Sequence, residues 1–371
     1  MVIYLPISFL KSLFIYAKKM NGLVKEKKMD AKITKVRLGR MLSYDWIKIV
    51  GIAAAAIVVW MLIFTMTATR ITPAQQFTVV NYNGNAGLTY TKLNEVCNNA
   101  FREGVFSYEV LELSNPIDLP SAGENAATLL EARTSTHEGD VVFVSQQPDS
   151  DTKTTAEDGT VSYARTYLES FVYKYGYSLF DFDRESEKGY FAQLENYLNG
   201  YYEGGWENGT LNEAKVKADF RARVAKDKRY KKEKQLLQGE ADDIQRIKDY
   251  RTALEKMYWY LDNGVVSLTK TTLENYYAEG QHLEGYYSIN LCPNEKMDKL
   301  REAVYYSTTV TDPATGKDKP TEAVLNMNVC FFDFAKVTEG FEHESLLFTV
   351  YLIDTYSTEK HPSVVAATAN A

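Results

Sequence analysis

His343-Glu344 opens like an HExxH motif, in which two histidines one helical turn apart hold zinc. Position 347 is leucine, so the second ligand is missing. Asp181-Phe-Asp183-Arg-Glu185 has the alternating acids that begin a calcium loop. The glycine that loop needs at its sixth position is Ser186, and the acid at its twelfth is Ala192. Solvated acids are the plainer reading. His137, His282, His343 and His361 are scattered, and none has a second ligand at metal-site spacing. P-loop, GxGxxG and GxSxG signatures are absent. Acid pairs are too numerous to single out any one as an acid–base couple. The expectation is a non-enzyme with no cofactor and no metal.

Amides and aromatic rings are more suggestive. Asn and Gln side chains both donate and accept hydrogen bonds, and aromatic faces stack on sugars or peptides. Three aromatic clusters recur among 27 tyrosines: Tyr173, Tyr175 and Tyr177; Tyr201, Tyr202 and Trp206 beside Gly204-Gly205; and Tyr258, Trp259 and Tyr260. Packing between helices explains such rings equally well. Lys226–Lys234 (KDKRYKKEK) is a basic run read as a solvated helical face, or as a contact for anionic lipid or wall polymer. Asn208-Gly-Thr210 matches a glycosylation pattern but reads as a turn and helix cap. Cys97, Cys292 and Cys330 contain no CxxC, so one bridge and three buried thiols both stay open.

Certain elements must position these groups. Phe77–Tyr82 and Phe106–Leu113 read as strands by β-branched, aromatic and alternating content, and 140–144 (DVVFV) as a central apolar strand. Leu93, Val96, Cys97 and Ala100 mark a helix over 91–101, and 124–134 reads as another, capped by Ser121 or Asn125. Strand and helix alternate, the signature of an α/β layer with parallel strands. Residues 150–160 read as a loop and 163–263 as all-helical. Within that region Thr210-x-x-Glu213 is a capping box before a helix to about Leu237, and Asn263-Gly264 ends another. Strands at 286–291 and 329–334, a buried helix at 344–356 and a disordered tail over 357–371 complete the expected order.

Charge separates the two ends of the chain. Residues 1–48 hold 11 Lys+Arg against 3 Asp+Glu, which leaves 31 against 46 for the rest. So acidic a domain repels phosphate polyanions, which excludes nucleic acid as partner. Ile49–Ala68 is 20 residues without a charge. At 1.5 Å per residue it spans about 30 Å, the thickness of a bilayer core. Arg37, Arg40 and Lys48 precede it, so the positive-inside rule puts the 1–48 tail in the cytoplasm and residues 71–371 outside. The apolar run is longer than a cleaved signal normally carries, so an uncleaved single-pass anchor is expected. Residues 1–28 are too broken to span, and Met29 offers another start.

The outer region resembles the extracellular solute-binding proteins of ABC importers, the type II periplasmic-binding fold. The likeness rests on Phe77–Tyr82 as first strand, the helix over 91–101, the second strand, and LLEARTSTHEGDVVFV (129–144). YYSINL (286–291) and the later ESLLFTVYLIDTY (344–356) also fit. It covers about half of residues 75–356, and a membrane helix replaces the family's lipid anchor. The resemblance implies an α/β lobe over 71–150, a helical region over 151–284 and a return segment over 285–356. It implies a carbohydrate or peptide-like solute, with an ABC permease as possible partner. In open α/β sheets a ligand sits at the carboxyl ends of the strands. Here those ends carry Tyr82, Asn83 and Asn85, then Ser145, Gln146 and Gln147, with Trp206 as opposite wall. The other reading is a surface assembly or sensory protein that reuses the fold as an interaction module.

Overall fold

The computed structural model describes residues 34–67, 71, 75–82, 84–85, 87–149, 153–159, 161–163, 165–274, 282–306, 309–311, 314–320, 326–334 and 343–369. Residues 1–33, Asn83 and Ala68 lie outside them. The chain divides into two units, residues 1–70 and 71–371.

In the first unit, helix α1 runs over Lys35–Thr67. Its Trp46–Thr65 stretch is 20 residues, long and apolar enough to cross a membrane. Ile57, Trp60 and Phe64 are exposed. A helix apolar on every side finds a suitable solvent only in lipid or a protein core.

The second unit is mixed α/β, built on one six-stranded sheet. Its helices are α2 (Tyr90–Arg102), α3 (Ala126–Ser135), α4 (Tyr167–Tyr175), α5 (Tyr190–Asn199), α6 (Glu213–Arg223), α7 (Glu233–Asp262), α8 (Asp298–Val304), α9 (Glu344–Tyr356) and α10 (Pro362–Ala369). The sheet strands are β1 (Val79–Asn81), β2 (Ile117–Asp118), β3 (Val141–Ser145), β4 (Ser267–Glu274), β5 (His282–Asn290) and β6 (Met327–Phe331). Their order is β4-β5-β6-β3-β1-β2. β1 runs parallel to β2 and β3, whereas β6, β5 and β4 continue from β3 antiparallel. Both central strands, VVFVS and MNVCF, are buried at every position. This suits strands covered on both faces.

Alternation sorts the strands onto two cores. Val79, Val141, Phe143, Val329 and Phe331 face a large cluster with α2, α5, α7 and α9. Val80, Val142, Val144 and Cys330 face a smaller one with α3 and α4. All three cysteines are buried and free. Burial pushes the Cys97 and Cys292 thiols up to about 12, so they stay protonated and inert.

Several expectations change. Of the expected strand Phe106–Leu113 only Glu112–Leu113 pairs, parallel to Gln76–Phe77 and apart from the main sheet, where β2 takes the expected place. Ser107 N and Oγ donate to Glu344 (3.0 and 2.6 Å) and Tyr108 Oη to Asp243 (3.0 Å), so the first part of the segment bonds inward to side chains instead of a ladder. Asn125 makes no side-chain cap for α3. Thr210 lies in a two-residue ribbon, and Asn212 caps α6 through Lys215 N (3.0 Å). The helix expected to reach Leu237 ends at Arg223. Asp227 there accepts from its neighbour Arg229 N (2.8 Å), a local bond that competes with helix propagation. Lys153–Thr155 and Val161–Tyr163 pair as a hairpin within the expected loop. β4 was missed within a stretch read as helical and loop. A helix, α10, stands where the tail was expected disordered.

Candidate functional site

The carboxyl ends of β1 and β3 gather most of the residues expected to meet a ligand. Tyr82 is buried, its ring 4.8 Å from that of Phe171, and its N–H donates to Phe143 O (2.9 Å). Asn85 is 1% exposed. Its Nδ2 donates to Phe143 O (2.7 Å) and Tyr82 O (3.1 Å), while Tyr305 Oη donates to its Oδ1 (3.4 Å). Ser145 is fully buried and its Oγ donates to Gly84 O (2.9 Å). Gly84 has φ +86°, and the Tyr167 ring covers it so closely that a Cβ there would lie 2.3 Å from the ring. Gln147 is half-buried and its carbonyl accepts from Tyr167 N (2.9 Å). Gln146 is half-buried too. These groups bond to one another and cap the strand ends.

Trp206 is not among them. Its indole lies 6.1 Å from Tyr258, in the cluster on the α7 side of the sheet. Tyr82 belongs to the cluster on the α3–α4 side. The sheet separates the two, so Trp206 does not form the opposite wall.

Comparison with known proteins finds no match, whether to family models, to curated proteins or to solved structures.

A second constellation was not foreseen: a buried polar network between α7, α9 and the 107–109 segment. Glu344, at the start of α9, accepts from Ser107 and from Tyr250 Oη (2.6 Å). His343 Nδ1 lies 3.1 Å from Tyr190 Oη. Asp243 and Arg246, one turn apart on α7, pair at 2.6 Å with almost no exposure, and Arg223 joins Asp243 at 2.9 Å. Burial first, then the Arg246 charge, pulls His343 down to about 3. Burial holds the Tyr190 hydroxyl well above its ordinary value. Neither group exchanges a proton near neutrality, so the pair acts as a fixed brace. Asp140 is pushed up to about 7, by burial first and also by Glu344, against the pull of the Thr78 N–H it accepts at 2.7 Å. The only sequence signal for this network was the His343-Glu344 pair.

Among the described residues no three His, Cys, Asp or Glu side chains gather as they would around a metal ion. Asp181 Oδ1 accepts from the N–H groups of Asp183 (2.9 Å) and Tyr286 (3.0 Å), and Asp183 Oδ1 from that of Glu185 (3.0 Å). The calcium-like spacing is therefore turn chemistry.

Open ground lies elsewhere. A groove of about 790 Å³ opens at the amino end of β3, lined by Glu131, His137, Tyr175, Tyr177 and Phe334 among others. Tyr177 is 77% exposed. Phe334 stacks on Phe332 at 4.6 Å, and the His137 ring meets its edge. Of the expected aromatic clusters, this one alone presents a largely free ring.

Proposed function

We propose that this is a single-pass membrane protein whose 71–371 domain lies outside the membrane and works as a non-catalytic interaction module. The anchor reading rests on the apolar 46–65 stretch and on the basic residues before it. The module reading rests above all on the capped strand ends. Tyr82, Asn85, Ser145 and Tyr167 fill the place where a solute would enter an open α/β sheet. Among the described residues there is a single large sheet, with no second one to face it across a cleft. The exposed groove around Tyr177 and Phe334 offers rings with polar edges to a protein or peptide partner.

A solute-binding protein would be stabilised by its ligand through mass action. Thermal melts of the full chain in detergent against a sugar and peptide panel are expected to show no saturable shift. A photo-crosslinking residue at position 177 is expected to give a discrete protein adduct in intact cells. A saturable melt shift, with no adduct at position 177, would restore solute binding and discard the module.

A further inference from the structure

The expected helix through Lys226–Lys234 is instead broken: a turn with one short 3-10 helix, Lys228–Tyr230, joins α6 to α7, and Lys234 lies in the first turn of α7. Lys226, Lys228, Lys231, Lys232 and Lys234 are all exposed in this segment. Among the described residues, none of the five joins an ion pair, whereas Arg229 on the same turn pairs with Asp227 at 2.7 Å. Leu237, one turn into α7, is 50% exposed beside them. An apolar side chain flanked by lysines is the composition that settles at a bilayer surface.

The turn is also rigidly built. The Tyr230 ring packs edge-on against Phe220 at 5.1 Å. Both rings press on Gly239 of α7, where a Cβ would stand 2.4 Å from Phe220 and 2.7 Å from Tyr230. Its lysines are therefore displayed from a fixed base, which lowers the entropic cost of binding.

The first pairing of the domain begins beside Gln75, only eight residues after Thr67 of α1. Gln75 O accepts from Leu111 N (2.9 Å), and Gln76 and Phe77 pair with Glu112 and Leu113. The same segment reaches α6 through Arg223, which meets Tyr108 Oη at 2.8 Å and Glu109 at 3.6 Å. Lys226 follows three residues later. Arg223 thus links the basic turn to the segment that receives the chain.

We infer that the Lys226–Lys234 turn binds the phosphodiester headgroups of anionic phospholipid in the membrane that the chain itself spans, with Leu237 at the acyl boundary. This rests on the anchor reading above. Each lysine near an anionic surface contributes roughly five-fold in binding.

The test is hydrogen exchange of the full chain in nanodiscs of phosphatidylcholine alone, or with phosphatidylglycerol. Amides of 225–238 are expected to exchange several-fold more slowly in the anionic discs only. That protection is lost at ~0.5 M NaCl, where screening acts within about 4 Å. It is also lost in K228E/K231E/K232E, while α9 and β3 keep their wild-type protection and report an intact fold. Equal exchange of 225–238 in both discs overturns the inference and leaves the anchor standing. Protection in neutral discs by added polyphosphate, with none from anionic discs, overturns the lipid as source. A chain that fails to enter discs at all removes the anchor and this inference together.

Discussion

Asp140 and His343 make opposite demands on protons. Folded His343, held near 3, refuses a proton that the unfolded side chain takes at 6.5. Its contribution to stability is complete above pH 6.5 and is lost as pH falls toward 3. Folded Asp140 keeps its proton up to about 7, whereas the unfolded side chain releases it at 3.8. Its contribution is complete below pH 3.8 and is lost as pH rises through 7. Between these limits the two slopes oppose each other. Asp140→Asn keeps an acceptor for Thr78 N and removes one slope. Unfolding free energy of the variant should then fall toward acid more steeply than wild type, by about 1.4 kcal/mol per pH unit. Urea titrations between pH ~4.5 and ~6.5 would measure it; parallel curves for the two proteins would contradict the buried network. From sequence, Asn85 and Ser145 read as ligand groups because their chemistry suits a ligand and their positions follow strands. Sequence does not show that Phe143 O, Tyr82 O and Gly84 O lie within reach of them. That depends on contacts up to 61 residues apart.

The elements most legible were those whose periodicity is undiluted. α2 was visible in Leu93, Val96, Cys97 and Ala100, and all four are buried. α9 occupies the residues expected for it. β2 was missed because its pairing covers only Ile117 and Asp118, too short for any alternation. The capping box that does form is Thr166 with Glu169, and it starts α4. Its T-x-x-E spacing was present in the sequence, at a position equally open to a strand reading. The α6–α7 break was hidden because lysines are good helix formers, and Asp227 was not weighed against them. Gly239 is the close contact point of that pair. Gly239→Ala improves helix propensity yet forces a Cβ into Phe220 and Tyr230. A net loss of about 1–3 kcal/mol is expected from overpacking. Chemical denaturation would show it, and a stabilised variant would mean the two rings yield freely.

At the scale of the whole molecule, composition carried the division into a basic N-terminal part, an apolar helix and an acidic α/β domain. The chain divides into two units between Arg70 and Ile71. The strand-end closure was beyond reach of composition, because the side chains that close it are the types that bind solutes elsewhere. The proposed topology requires the 71–371 domain to lie across the membrane from the basic tail. The direct measurement is protease shaving of intact cells stripped of any wall, followed by blotting for tags at each end of the full-length chain. The account predicts that a C-terminal tag disappears with the 71–371 domain while an N-terminal tag survives on a membrane-bound fragment. Protection of the C-terminal tag until the cells are lysed would contradict it.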